Sequence, residues 1–114
     1  MKPHAVPSVS ADAIPAGALL VDCREDGEWE AGHIEGAIHI PMNQIPQRLS
    51  SRPNDITPET EMVVVCKVGA RSAQVTAWLN QNGFTAANLE GGMLAWISAG
   101  RPMVSSSGEH PRLA

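Results

Sequence analysis

The stretch that decides the fold is Met62-Val63-Val64-Val65-Cys66-Lys67-Val68-Gly69-Ala70-Arg71-Ser72. Its first four residues are apolar and three of them are β-branched, which indicates a short buried strand of a parallel sheet covered on both faces. From Ser72 onwards, apolar residues recur at the helical steps of three and four, until Gly83 supplies a left-handed helix end. The sequence therefore predicts a strand, a tight loop and a helix, with Cys66 at the end of the strand.

Cys66 is predicted to be a nucleophile because of the loop that follows it. This loop, residues 67–71, is hereafter the Cys66 loop; it can turn its backbone N–H groups inward, and the helix adds the positive end of its dipole. Such settings lower a thiol pKa from about 8.5 to about 3.5–7.5. The alternative is a small buried hydrophobic residue that ends a strand. That alternative gives no reason for two cations and a glycine within the next five positions.

Three motifs resemble those of rhodanese-type sulfurtransferases. Residues 66–72 are similar to that family's active-site loop, which runs Cys, basic residue, any residue, Gly, any residue, Arg, Ser or Thr. The entry motif of the family is similar to Val21-Asp22-Cys23-Arg24 with Glu28, followed by residues 32–37 and Ile40-Pro41. Its closing motif is similar to Leu89-Glu90-Gly91-Gly92 with Trp96. The resemblance extends over about residues 9–102.

The resemblance implies an α/β fold of the rhodanese-like type, with a central, mostly parallel five-stranded sheet and helices on both faces. A chain of 114 residues with 43% hydrophobic residues is enough for one domain and no more. We assign that domain to residues 9–102. Residues 1–8 and 103–114 are expected to be flexible tails, because the first carries two prolines and the second is rich in polar residues from Ser105 onwards.

Apolar runs and turn residues predict the other elements. Strands are expected at residues 18–21, 37–40 and 86–89, and Val9 is expected to pair briefly with the sheet. Helices are expected at residues 26–31, at about 42–49, and from the Gly91-Gly92 turn through Ser98. Residues 50–61 are interpreted as a surface loop.

Charge and composition exclude several classes of partner. The net charge of −4 gives no basic field for nucleic acid. No stretch approaches the roughly 18 apolar residues that span a bilayer, and the first residues lack the apolar core of a signal peptide. We therefore expect a cytoplasmic protein that binds neither nucleic acid nor membrane, with two free thiols. The histidines and cysteines show no metal-ligand spacing, so no metal is predicted.

Residues around Cys66 are assigned supporting roles. The substrate-binding residues are predicted to be those of the Cys66 loop, namely Lys67, Val68, Gly69, Ala70 and Arg71. Asp22, Arg24 and Glu28 are predicted to brace this loop, since ligands of parallel sheets bind at the carboxyl ends of the strands. Cys23 is interpreted as a small buried thiol, with a resolving partner for Cys66 as the alternative. The resemblance implies that His33 is structural.

The function implied by the resemblance is transfer of a sulfane sulfur, without a cofactor. A small anionic donor such as thiosulfate would give its outer sulfur to Cys66 as a persulfide, and cyanide or a thiol, including a protein thiol, would accept it. One alternative is a non-catalytic interaction or sulfur-relay module. Another is a cysteine phosphatase or arsenate reductase, whose loops are one residue longer than the four residues between Cys66 and Arg71. The shorter loop suits a single sulfur atom better than a tetrahedral phosphate.

Overall fold

The computed structural model of the chain describes residues 6–50 and 56–114. Five strands and four α-helices lie within these ranges. The strands are β1 (Ser8–Val9), β2 (Leu19–Asp22), β3 (Ile38–His39), β4 (Glu61–Val65) and β5 (Thr85–Leu89). The helices are α1 (Asp26–Ala31), α2 (Ile45–Ser50), α3 (Ala70–Gln81) and α4 (Gly92–Ser98). Residues 51–55 of the predicted surface loop, and residues 1–5 of the predicted N-terminal tail, lie outside the described residues.

The strands form one parallel sheet in the order β1-β5-β4-β2-β3. The prediction of an α/β fold with a five-stranded parallel sheet is thereby confirmed. Strand β4 is central because its four residues from Met62 to Val65 are all buried and apolar, as suits a strand covered on both faces. The Cys66 loop therefore leaves the middle of the sheet at its carboxyl edge.

Two apolar clusters cover the two faces of the sheet. On one face, Val64 packs with residues of α2 and α3, including Leu49 and Leu79. On the other face, Val63 packs with residues of α4, including Met93 and Trp96. Alternate residues of β4 thus serve opposite clusters, which is the period of two expected of a strand. Among the helices that the structure describes, none is long and apolar enough to cross a membrane.

Proline changes the helix predicted at residues 42–49. The structure has a 3-10 turn, Met42–Gln44, followed by α2 from Ile45. Pro46 has no N–H to donate to the Met42 carbonyl, so the Ile45 N–H donates to that carbonyl instead, as in a 3-10 turn. Helix α3 also differs slightly, since it begins two residues before Ser72.

The C-terminal segment packs against the domain, whereas the sequence predicts a flexible tail. Val104 pairs with His33 in an antiparallel bridge, and the Arg112 N–H donates to the Ala31 carbonyl at 2.9 Å. A Cβ on Gly32 would lie 2.5 Å from the Arg112 carbonyl oxygen, so the approach requires glycine. Leu113 packs against the apolar cluster that contains Met93 and Trp96 of α4. Apolar residues within the polar segment thus hold it in place.

Candidate functional site

The Cys66 side chain is buried and its sulfur accepts hydrogen bonds. The residue is 0% exposed and belongs to the apolar cluster that contains Val64. Nevertheless, the Gly69 N–H donates to Sγ at 3.1 Å, and the Ser72 hydroxyl lies 3.2 Å from Sγ. The sulfur therefore sits at the inner side of its own loop rather than in wholly apolar surroundings.

These hydrogen bonds favour the thiolate. Burial is the largest single effect on the Cys66 thiol, and it raises the pKa. The Ser72 hydroxyl and the backbone N–H groups of Ser72, Gly69 and Val68 lower it, and together they outweigh burial, so the pKa of Cys66 lies below its ordinary value. The acidity of this thiol comes mainly from hydrogen-bond donors of the loop and the first turn of α3.

Glycines allow two backbones to meet at the Cys66 loop. Gly92 has φ +59°, and a Cβ there would lie 2.6 Å from the Lys67 carbonyl oxygen. Because the approach is so close, the first N–H groups of α4 reach the loop: Met93 donates to the Cys66 carbonyl at 2.8 Å and Leu94 to the Lys67 carbonyl at 3.1 Å. The closing motif therefore fastens the loop.

Arg71 is held by Glu28 of α1. Two hydrogen bonds of 2.8 and 2.9 Å join the guanidinium to the carboxylate. The Arg71 side chain, through these bonds, lowers the pKa of Glu28 to about 2, and Glu28 raises that of Arg71. Of the three residues expected to brace the loop, Glu28 is the one that contacts it through a charged pair.

Asp22 and Arg24 pair with each other and not with Arg71. The Arg24 side chain is 0% exposed, and its Nη2 donates to Asp22 Oδ2 at 2.8 Å and to the Gly32 carbonyl at 2.7 Å. Such a buried two-residue pair fixes the chain between β2 and α1. These two residues therefore position the helix that carries Glu28, and they act on the loop only indirectly.

The outer residues of the Cys66 loop face solvent. Val68 is 54% exposed, Ala70 is exposed and Lys67 is half-buried. Lys67 forms no ion pair with any residue in the ranges 6–50 and 56–114. Its charge is thus available to an anion that approaches the loop from outside.

Asn88 and the hydroxyl of Ser72 are site groups that the sequence prediction missed. Asn88, on β5, is 7% exposed; its Nδ2 donates to the Gly69 carbonyl at 3.1 Å and its Oδ1 accepts from the Ser72 hydroxyl. A polar residue inside the apolar run of residues 86–89 was the available signal. Buried polar side chains need partners, so a polar residue at that position indicated a hydrogen bond but did not identify its partner.

Cys23 lies beside Cys66 but differs in its chemistry. Its N–H donates to the Val65 carbonyl at 2.9 Å, so it continues the pairing of β2 with β4. Burial, followed by the charges of Cys66 and Asp22, raises the pKa of Cys23 to about 12. Both cysteines are free. The neighbouring thiols thus have opposite tendencies to ionise.

Two histidines, His33 and His39, make structural contacts. His33 stacks on Trp29 with 3.6 Å between ring centroids, and its Nδ1 lies 2.6 Å from the Trp29 carbonyl. His39 stacks on the same indole, at 4.9 Å. Within the described residues no group of three or more His, Cys, Asp or Glu side chains could hold a metal ion.

Comparison with known proteins gives one consistent result. The family model of the rhodanese-like domain matches residues 8–99. A sulfurtransferase of Allochromatium vinosum is 42% identical over 91 residues, which are 79% of this chain and 81% of that protein. A putative sulfurtransferase of Bacillus subtilis is 40% identical over 83 residues, 73% of this chain and 77% of that protein. The crystal structure of a rhodanese-like domain protein from Staphylococcus aureus matches with a TM-score of 0.69 and 37% identity, covering 79% of this chain and 90% of that one.

Proposed function

Because the chain belongs to the rhodanese-like domain family, we propose that it moves a sulfane sulfur from a donor such as thiosulfate to a thiophilic acceptor, through a persulfide on Cys66. The similarity to proteins named sulfurtransferase supports sulfur transfer in general. The observation that carries the finer proposal is the placement of Sγ beside the Gly69 N–H and the Ser72 hydroxyl. These donors stabilise the thiolate form of the Cys66 sulfur.

The proposed reaction has two steps. The Cys66 thiolate attacks the outer sulfur of thiosulfate; a new S–S bond forms, the old one breaks, and sulfite leaves with its electron pair. Cyanide or a thiolate then attacks the outer sulfur of the persulfide, and the electron pair of the broken bond returns to Cys66 Sγ. The donors that lower the pKa of Cys66 stabilise the same sulfur when it leaves as a thiolate.

Each cation has its own role in this proposal. Lys67 attracts the anionic donor, because it forms no ion pair with any described residue. Arg71 is bound to Glu28, so it shapes the loop and contributes positive potential rather than gripping the donor. The exposed residues Val68 and Ala70 form the outer side of the loop that the donor meets first.

The donor reaches Sγ only if the Cys66 loop moves. Cys66 has no exposed surface in the structure, whereas Val68 in the loop is more than half exposed. An outward movement of the loop would uncover the sulfur while the sheet stays intact. The same burial is the observation that favours the second candidate function, a rhodanese-like module that does not catalyse transfer.

Intact mass spectrometry after treatment with thiosulfate tests the proposal. We expect the mass to increase by one sulfur atom and to return to its starting value after cyanide or dithiothreitol. The added sulfur must be absent from Cys66→Ser and present in the matched variant Cys23→Val. Absence of the adduct from the wild-type protein, with a folded structure, would support the non-catalytic module.

Hydrolysis of an aryl phosphate tests the phosphatase alternative. Four residues separate Cys66 from Arg71, which leaves a narrow loop. We expect sulfur transfer without phosphate release, and phosphate release by wild type but not by Cys66→Ser would contradict the proposal.

We also propose a cytoplasmic location, because both cysteines are free and a reducing compartment keeps thiols in that state.

A further inference from the structure

A closed ring of hydrogen bonds passes through the Cys66 sulfur. Sγ lies 3.2 Å from the Ser72 hydroxyl, the hydroxyl donates to Asn88 Oδ1, and Asn88 Nδ2 donates to the Gly69 carbonyl at 3.1 Å. The Gly69 N–H closes the ring by donating to Sγ at 3.1 Å. The ring joins the residue that follows β4, the Cys66 loop, α3 and β5 through Cys66, Gly69, Ser72 and Asn88. Asn88 is the member farthest from Cys66 in the chain.

The orientation of the Asn88 amide follows from its partners. The Gly69 carbonyl oxygen can only accept, so the Asn88 atom that faces it must be the NH₂ nitrogen. The amide oxygen then faces Ser72, and it can only accept from the hydroxyl. The Gly69 carbonyl also accepts from the Ala73 N–H at 3.2 Å, so that carbonyl stays engaged even without Asn88.

The Ser72 hydroxyl has one proton and two acceptors within reach. When Cys66 is a neutral thiol, S–H can donate to Ser72 Oγ while the hydroxyl donates to Asn88 Oδ1, and every member of the ring is satisfied. When Cys66 is a thiolate, the hydroxyl must turn to Sγ, and Asn88 Oδ1 loses its donor. A buried acceptor without a donor costs free energy. Asn88 Oδ1 and the Cys66 thiolate therefore compete for the one hydrogen bond that the Ser72 hydroxyl can donate.

We propose that Asn88 is a positioning residue for the Cys66 nucleophile, because its amide oxygen holds the Ser72 hydroxyl proton whenever the sulfur is uncharged and releases it when charge develops. The inference deepens the proposed function and rests on it. In the persulfide, Cys66 Sγ carries no charge, and the Ser72 hydroxyl again donates its hydrogen bond to Asn88 Oδ1. When the acceptor takes the outer sulfur, the Ser72 hydroxyl turns and donates its hydrogen bond to the Cys66 thiolate. Asn88 thus limits the acidity of Cys66, which preserves nucleophilicity.

Other charged and titratable groups face Cys66 from the neighbouring elements. Asp22 ends β2 and Cys23 follows it, Lys67 and Arg71 lie in the Cys66 loop and at the start of α3, and Glu28 holds Arg71 from α1. Helix α4 contributes backbone N–H groups, through Met93 and Leu94. None of these groups changes when Asn88 or Ser72 is substituted. A change in Cys66 ionisation in those variants therefore reports on the ring.

The test measures the rate of alkylation of Cys66 by iodoacetamide against pH, with the modified residue identified by mass spectrometry. Asn88→Leu removes the acceptor at nearly constant volume, and we expect the midpoint of the rate profile to fall by about 0.5–1 pH unit, as for one net hydrogen bond. Ser72→Ala removes the donor to the thiolate and should raise the midpoint by a similar amount. In the Ser72→Ala background, Asn88→Leu should leave the midpoint unchanged.

Three outcomes would overturn the inference. They are an unchanged midpoint in Asn88→Leu, a raised midpoint in Asn88→Leu, and an Asn88→Leu effect that persists in the Ser72→Ala background, which would show action through Gly69. Asn80→Ala is the matched control, because Asn80 makes two hydrogen bonds to the backbone of Ala86 at the start of β5 and does not contact the ring. If Asn88→Leu does not fold, Asn88→Ala is measured instead.

The measurement separates this inference from the proposed function. Alkylation requires a thiolate but no sulfur donor, so the midpoints can be read whether or not the protein transfers sulfur. Failure to form the persulfide would contradict the proposed function. A midpoint that does not depend on Asn88 would contradict the positioning role alone.

Discussion

Arg71 and Glu28 are 43 positions apart in the sequence and are joined by two hydrogen bonds of 2.8 and 2.9 Å. The pair connects the loop that holds Cys66 to helix α1, and its two side chains are partly buried. The first turn of α3 is therefore anchored from a helix that the entry motif supplies. This relationship determines how the site responds to acid.

The first prediction concerns stability in acid. The folded pKa of Glu28, about 2, lies below its ordinary value of 4.5, so the contribution of the pair is fully present above about pH 4.5 and is lost as the pH falls toward 2. We expect Glu28→Gln to lower the free energy of unfolding at pH 7 by about 1–2 kcal/mol, a value reduced for solvent screening. Chemical denaturation at several pH values measures this.

The control for this prediction is Glu30→Gln, on the exposed side of the same helix. We expect Glu28→Gln to lose its difference from wild type near pH 2 and Glu30→Gln to show little difference at any pH. Equal stability of wild type and Glu28→Gln at pH 7 would show that the ion pair adds nothing to the fold.

The second prediction concerns the charge of Lys67. We expect Lys67→Ala to raise the KM for thiosulfate about fivefold at low salt, because one unit charge about 4 Å away in water contributes about 1 kcal/mol. The KM for a neutral sulfur donor should change little, and Lys67→Arg should behave like wild type. Steady-state kinetics with both donors gives the answer. An equal rise for both donors would assign Lys67 to loop structure instead of anion attraction.

The third prediction concerns the close approach at Gly92. Gly92→Ala should destabilise the protein by about 1–3 kcal/mol more than Gly100→Ala, because the new Cβ overpacks against the Lys67 carbonyl. Gly100 is a matched control: its φ is +77°, similarly left-handed, and a Cβ there would have no heavy atom within 4 Å. Thermal denaturation measures both variants. Similar losses of stability in Gly92→Ala and Gly100→Ala would mean that the left-handed backbone conformation accounts for the effect and the contact with the Lys67 carbonyl does not.

The fourth prediction concerns the two thiols. At pH 8 we expect iodoacetamide to modify Cys66 and to leave Cys23 unmodified, because the pKa of Cys23 is raised to about 12 and that of Cys66 is lowered. Peptide mass spectrometry identifies the modified residue, and unfolding in denaturant should make both cysteines react. Modification of Cys23 first would contradict the assigned thiolate. A bulkier reagent should react more slowly with Cys66 if the loop has to open.

The strand, loop and helix around Cys66 could be predicted because each has a local signal. The apolar run of β4 is continuous, and the helical period of α3 follows it directly. Helix α1, predicted at residues 26–31, has those same bounds in the structure. The position of Gly69 as the left-handed residue before α3, with φ +99°, explains why that helix begins at Ala70.

The partners of the buried polar groups could not be predicted, because they depend on register. Asn88 reaches the Cys66 loop because it pairs with Val64, two positions before Cys66 on the next strand. Likewise, the sequence predicted that both Asp22 and Glu28 would brace the loop, but the fold places Arg24 against Asp22 and leaves Glu28 for Arg71. Charges of the same sign are interchangeable in a sequence, and only three-dimensional placement separates them.

The hydrogen bonds from α4 to the Cys66 and Lys67 carbonyls have a consequence for selectivity. In a trans peptide, C=O and N–H point in opposite directions. Because these two carbonyls are directed at α4, the N–H groups of Lys67 and Val68 are directed away from it, and the Val68 N–H lies on the sulfur side. The preference for negative charge is therefore built into the orientation of two peptide planes. The exposed side chains at positions 68 and 70 take no part in that orientation, so we expect substitutions there to leave the preference unchanged.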